Sequence, residues 1–235
     1  MGDTSVASRL LAVRARIQEA AQRAGRDPAG VKLLAVSKKQ PSAAIREAYG
    51  AGQRDFGESY AQELASKADE LGDLGDIRWH MIGHLQRNKA KLVVPRVVRV
   101  CSVDSPRLLR ELHKQVEAMR DTVWKNRVLE ILLEVNLAAE VSKSGVAPEL
   151  VPELLSVAET LSGLRVRGLM AIPPRSENSD EARASFERLR ALRDELGGVD
   201  RLPELSMGMS GDLEPAVAAG STEVRVGTAI FGERH

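Results

Sequence analysis

Lys38 directly follows the run Leu33-Leu34-Ala35-Val36-Ser37. A lysine raised from the end of a buried strand loses part of its hydration, which lowers its pKa and makes its amine a nucleophile able to form a Schiff base with a carbonyl. The competing reading is a solvated lysine just past a strand, and Lys39 beside it favours a surface. A second chemistry lies near the C-terminus, where Val224-Arg225-Val226-Gly227-Thr228-Ala229-Ile230-Phe231-Gly232 passes from an apolar run into a glycine and a hydroxyl. Backbone N–H groups at such a strand-to-helix junction bind phosphate, and glycine lets the backbone approach the anion. Gly208-Met209-Ser210-Gly211-Asp212 is a second glycine-flanked hydroxyl opening a helix. Side by side, the two corners would form a phosphate cup from Ser210, Gly227 and Thr228; apart, they are ordinary turns with helix caps.

These corners need elements that bring them together. Val6, Leu10, Val13, Ile17 and Ala21 recur at three- and four-residue spacing up to Gly25, which predicts an N-terminal helix over 1–25. Strand candidates follow at 31–37, 54–57, 77–82, 97–103, 128–135, 164–171, 204–208 and 223–227, the second and seventh being the weakest in pattern. Helices are expected between them, among them 106–119, 148–161, 180–196 and 212–219. Eight strand–helix units after one extra helix predict an α/β fold, a single (β/α)8 barrel over 31–232 within one domain spanning 1–235. An open doubly wound sheet is the alternative, but no Gly-x-Gly-x-x-Gly follows the first strand. The connection from Ile172 to Asp180 is polar. With seven aromatics among 235 residues, the core must be aliphatic.

Other motifs are weaker. Gly208 to Asp212 has aspartate where a Gly-x-Ser-x-Gly nucleophile elbow needs glycine. His80 and His84 span a strand end and a loop with no acidic residue between them, so no metal site is expected; His80 reads as packed near the barrel mouth and His84 as a loop contact. Tyr49, Tyr60, His113 and Cys101 offer no nucleophile–base spacing. The 34 basic and 33 acidic residues leave a net charge of +1, which argues against a polyanionic partner. Arg87, Lys89, Lys91, Arg96 and Arg99 form a basic stretch that lacks an aromatic for base stacking, so a solvated face is expected rather than a nucleic-acid surface. One cysteine, and no signal or membrane segment in 1–25, point to a cytoplasmic protein.

Seven segments in register resemble the pyridoxal phosphate homeostasis proteins, a family with an alanine-racemase-like barrel. They are Leu34-Ala35-Val36-Ser37-Lys38, Phe56-Gly57-Glu58-Ser59-Tyr60, Trp79 to Lys89, Ser142-Lys143-Ser144-Gly145, Arg167 to Pro173, Leu205 to Ser210 and Val224 to Gly232. The resemblance implies that Lys38 holds pyridoxal 5′-phosphate (PLP) as an internal aldimine, that Ser210, Gly227 and Thr228 bind its phosphate, and that Met209 lines the pocket. It also implies that Arg225 faces the pyridine nitrogen, where a permanently charged guanidinium does not protonate the ring and carbanion chemistry is discouraged. Two positions depart from the family pattern: Ser59 stands where asparagine is frequent, and Gln40 where a second lysine is frequent.

The expected function is therefore a non-catalytic PLP binder, a monomer acting in PLP homeostasis or in delivery to PLP-dependent enzymes. The alternative is a fold-type III enzyme such as an amino-acid racemase, but those add a second β-domain and a tyrosine base, and this chain runs only seven residues past Thr228, with Tyr49 and Tyr60 its only tyrosines. A Schiff-base aldolase using Lys38 on a sugar phosphate is a third possibility. Phe56, Tyr60, Trp79 and Phe231 fall inside the motif segments and are expected at or near the strand ends of the site.

Overall fold

The computed structural model describes residues 5–121, 127–137, 144–173 and 179–233. Eight parallel strands close into a barrel in sequence order: β1 (Lys32–Val36), β2 (Asp55–Glu58), β3 (Arg78–Met81), β4 (Val97–Val103), β5 (Leu129–Val135), β6 (Leu164–Ala171), β7 (Glu204–Ser206) and β8 (Glu223–Val226). β8 closes on β1, in register from Lys32 opposite Glu223 to Ala35 opposite Val226. The two strands with the weakest sequence pattern are short, four residues in β2 and three in β7, the shortest of the eight.

The helices are α1 (Val6–Arg23), α2 (Ser42–Gly50), α3 (Ala61–Glu70), α4 (Ala90–Val93), α5 (Pro106–Ala118), α6 (Val151–Glu159), α7 (Ser179–Glu195), α8 (Gly198–Arg201), α9 (Leu213–Ala218) and α10 (Thr228–Phe231). Their ends follow capping chemistry. Ser5 accepts from the Ser8 N–H at the start of α1, and Ser105 accepts from the Leu108 N–H ahead of Pro106 in the first turn of α5. α1 buries Val6, Leu10, Val13 and Ile17 and lies against α2, α9 and α10. Among the described residues no helix is long and apolar enough to cross a membrane.

The strands bury both faces. Outward-facing Phe56, Trp79, Ile131, Leu133 and Leu205 join the large core shared with the helices. Inward-facing Leu34, Val36, Ile82, Cys101, Leu132 and Met170 fill the barrel axis. Two residues earlier on β4 and β5, on the same inner face, Arg99 and Glu130 sit one layer nearer the strand N-termini. There the Arg99 guanidinium meets Glu204 at 2.6 Å, Glu130 at 2.7 Å and Glu223 at 3.4 Å. The barrel thus has a charged floor, an aliphatic middle, and an upper end left for the site.

Candidate functional site

A cavity of about 360 Å³ opens at the C-terminal ends of the strands, and Lys38, Met209, Ser210, Arg225, Gly227 and Thr228 all border it. The barrel thus brings these six residues together from strand ends far apart in sequence. Val36, Ile82 and Ile172 add apolar walls, while Ser59, Gly83 and Gly211 complete the rim.

Lys38 lies half-buried in the turn after β1, with Ser37 fully buried before it and Lys39 exposed after it. On the opposite side, the turns after β7 and β8 are joined: the Ser210 hydroxyl accepts from the Ala229 N–H at 3.4 Å. Gly208 starts the first turn at φ +96°, a conformation that favours glycine, and a Cβ there would lie 2.5 Å from the Ala216 Cβ. Asp212 then accepts from the Met209 N–H at 2.5 Å, so the aspartate that disqualifies a nucleophile elbow serves to fold this turn. Helix α1 fastens both turns from outside. Arg16 donates to the Ser210 carbonyl at 3.2 Å and pairs with Glu214 at 2.9 Å, and Arg9 donates to the Ile230 carbonyl at 2.6 Å.

Arg225 is 4% exposed and held at both terminal nitrogens: Nη1 donates to the Ser206 carbonyl at 2.6 Å and hydroxyl at 2.8 Å, and Nη2 donates to the Ala171 carbonyl at 2.8 Å. The Ser206 hydroxyl in turn donates to Glu223 at 2.7 Å. Burial lowers the guanidinium from its ordinary pKa, opposed first by Glu223. It remains a cation, as arginine does in proteins, and cannot serve as a proton source.

Three features were not found from sequence. Glu134 on β5 is 5% exposed, and among the described residues its Oε2 has no hydrogen-bond partner. Burial, reinforced by Asp104 and opposed by Arg225, pushes its carboxyl up to about 7. A second acid late in the mostly apolar run Leu129-Glu130-Ile131-Leu132-Leu133-Glu134-Val135 is the signal that could have flagged it. Gly83 is the second: a Cβ there would stand 2.3 Å from the Ser59 carbonyl oxygen, so the β3 loop can pass the β2 loop only as glycine. The third is the set of contacts from α3 that hold Ser37 and Lys39 on either side of Lys38.

Several expectations are corrected. His80 donates to or accepts from Asp55 at 2.9 Å, at the N-terminal end of β2, and does not border the mouth cavity. His84, by contrast, is the loop contact expected, 3.6 Å from Asp104. Arg99, grouped with a solvated basic stretch, is inside the barrel because its strand alternation points it inward. None of Phe56, Tyr60, Trp79 and Phe231 borders the cavity. Phe56 and Trp79 pack ring on ring, 5.9 Å apart, on the outer face of the strands, and Tyr60 stands half-exposed ahead of α3. Lys143 and positions 174–178 of the polar connection lie outside the described residues. Ser59, at one of the departures from the family pattern, does border the cavity.

Together the lining offers one amine, three hydroxyls, a fixed guanidinium and apolar walls, with no histidine, cysteine or tyrosine among the described lining residues. Such a set suits a flat molecule carrying an anionic group at one end and a carbonyl that condenses with the amine at the other.

The alanine racemase N-terminal domain family model matches residues 9–235. The chain is 47% identical over 232 residues to the pyridoxal phosphate homeostasis protein of Pseudomonas aeruginosa, covering 98% of this chain and 96% of that one. It is 44% identical to the protein of the same name from Aquifex aeolicus, covering 96% and 97%. Among solved structures, PipY of Synechococcus elongatus with PLP bound superposes with a TM-score of 0.83 at 38% identity, covering 97% of this chain and 100% of that one. Alanine racemase from Corynebacterium glutamicum shares the fold, with a TM-score of 0.66 at 18% identity over 96% of this chain and 61% of the racemase. Barrel, mouth cavity and near-full-length identity lead to one assignment: this chain belongs to the pyridoxal phosphate homeostasis protein family.

Proposed function

We propose that this chain binds PLP in the mouth cavity, with Lys38 as covalent anchor, and takes part in PLP homeostasis or delivery without turning over a substrate of its own. The observation that carries the reading is the convergence of a strand-end amine and two hydroxyl-bearing turns on one cavity of about 360 Å³. The donor set fits the group. A Cβ on Gly211 would meet nothing within 4 Å, so the space over that turn is open to a ligand. Ser210 and Thr228 supply hydroxyls to a phosphate, Gly227 admits it to the backbone, and Val36, Ile82 and Met209 offer apolar contact to a ring. When bound, PLP supplies an aldehyde that condenses with a primary amine, with release of one water, and a ring that can withdraw electrons.

What this chain's residues do there favours holding over catalysis. Arg225, tied to Ser206 and Ala171, presents a fixed positive charge that leaves a ring nitrogen unprotonated and the ring a weak electron sink. The names of the relatives support the same reading, since they describe homeostasis proteins. Cytoplasmic location and a monomeric state belong to the proposal too.

The visible absorption spectrum of the purified protein, with and without added PLP, tests the anchor. A band that appears with PLP and is lost in Lys38→Ala is expected; a protein colourless at saturating PLP overturns the reading. Incubation with single amino-acid enantiomers in heavy water should give no α-proton exchange, and sustained exchange would restore the racemase alternative.

A further inference from the structure

Resting on the reading of Lys38 as the PLP anchor, we propose that Lys67 is a positioning residue for the Lys38 amine, acting through an ion triplet with the buried Glu58 and the part-buried Glu63 that grips the residues on either side of Lys38.

Lys67 lies on α3 and is 6% exposed. Its ammonium has three protons and meets three acceptors: the Ser37 carbonyl at 2.7 Å, Glu58 Oε1 at 2.8 Å and Glu63 Oε1 at 2.7 Å. No donor is left over for a ligand, so any influence on the site is indirect. Both carboxylate oxygens take a second hydrogen bond. Glu58 Oε1 accepts from the Ser37 hydroxyl at 2.7 Å, and Glu63 Oε1 accepts from the Lys39 N–H at 2.5 Å. Ser37 is therefore held by its carbonyl and its side chain, Lys39 by its amide, and the backbone of Lys38 is fixed between two anchored neighbours.

This grip answers a conformational problem. Lys39 has φ 59°, the left-handed region that a lysine avoids, and among the described residues it is the one non-glycine there. That kink ends the line of β1 so that Lys38 borders the cavity while Lys39 stands in solvent. The Glu63 carboxylate, itself held by Lys67, is placed to keep the amide of Lys39 in that conformation. Glu58 is fully buried, with no partner for Oε2 among the described residues. Burial raises its carboxyl from the ordinary value and Lys67 is the first opposing influence, so loss of the ammonium would let Glu58 take up a proton and release Ser37.

The test compares full-length wild type, Lys67→Met, Lys67→Arg and Glu63→Ala. Each is titrated with PLP, following the Lys38-dependent visible band and its pH profile, and with 4′-deoxypyridoxine 5′-phosphate, which keeps ring and phosphate but has no aldehyde. Lys67→Met should weaken PLP binding by about tenfold or more, the scale of one lost charge-assisted hydrogen bond, and shift the pH at which the band changes. Binding of the deoxy analogue should stay within about twofold of wild type, since the Ser210 and Thr228 turns are untouched. Lys67→Arg should recover most of the PLP affinity. If Lys67→Met does not fold, Glu63→Ala carries the test, with a PLP-specific loss of roughly threefold to tenfold expected. A folded Lys67→Met protein that matches wild type in affinity and pH profile, or that loses both ligands equally, overturns the proposal, as does an unaffected Glu63→Ala. A wild-type protein without the Lys38-dependent band overturns the cofactor reading itself, a distinguishable outcome.

Discussion

Substituting Glu134 with glutamine isolates the buried carboxyl beside Arg225. Its pKa is pushed up from 4.5 to about 7 by burial and by Asp104. In the unfolded chain the group returns to its ordinary value, so the folded state binds this proton more tightly. The resulting stability is fully present below pH 4.5 and is lost as pH rises through about 7. At about 1.4 kcal/mol per pH unit, the loss amounts to about 1 kcal/mol by pH 5 and about 3 kcal/mol by pH 8. Glutamine does not ionise, so Glu134→Gln should gain on wild type by that schedule. For a chain of this length, 1 kcal/mol moves Tm by roughly 2–4 °C, so the gap should widen by roughly 4–8 °C between pH 5 and pH 8. Thermal melts of both proteins at pH 5, 6, 7 and 8, followed by circular dichroism, read it directly. A fixed offset from the amide's own hydrogen bonds cancels in the slope. A gap that is constant with pH, or that narrows as pH rises, would refute the assignment of Glu134 as a buried acid ionising near neutrality.

Further outcomes follow from other contacts. Gly83→Ala would drive a Cβ to 2.3 Å from the Ser59 carbonyl oxygen, and overpacking of about 1–3 kcal/mol should lower Tm by roughly 2–12 °C; an unchanged Tm would mean the two loops can separate freely. Arg99→Met takes the cation from the buried Glu223 and leaves Glu204 only its longer contacts to Lys32 at 3.4 Å and Arg167 at 3.5 Å, which should cost about 3–5 kcal/mol of unfolding free energy in a urea titration; a neutral result would show that the carboxylates take up protons at little expense. Cys101 is fully buried, and burial, followed by Glu223, pushes its thiol far above the ordinary range. It should resist a thiol reagent at neutral pH and react stoichiometrically in guanidinium; rapid labelling of the native protein would contradict the packed barrel axis.

The parts of the site legible in the sequence are those in which a local signal and a topological rule coincide. Lys38, Ser210, Gly227 and Thr228 each follow an apolar run, and in a parallel barrel every such end faces the same mouth. The charged floor was missed because Arg99 lies in a basic stretch, and only strand alternation distinguishes an inward arginine from a surface one. The acids Glu130, Glu204 and Glu223 stand at comparable depth on other strands, but pairing them needs the barrel's closure and shear. The Glu63–Lys67 pair is less legible still. At i,i+4 on a helix it looks like an ordinary solvated ion pair, and its burial depends on the Lys38 turn lying over it. The aromatics misled for a related reason: Phe56 and Trp79 occur in motif segments, but period-two alternation sends their rings outward while Gly57 turns to the axis.

Helix α1 has a consequence for the order in which the molecule acquires its site. The hydrogen bonds from Arg9 and Arg16 of α1, and from Arg26 just beyond its end, reach Ile230, Ser210 and Val217, separated by 221, 194 and 191 residues. α1 leaves the ribosome well before these partners, with Val6, Leu10, Val13 and Ile17 still uncovered. β1 is in the same position, since its partner β8 is made near the end. Closure of the barrel and fastening of the Ser210 and Thr228 turns thus belong to one late, long-range event. A partly made chain carries Lys38 without the turns that face it, so a ligand that engages both should bind only the completed molecule and should stabilise its closure.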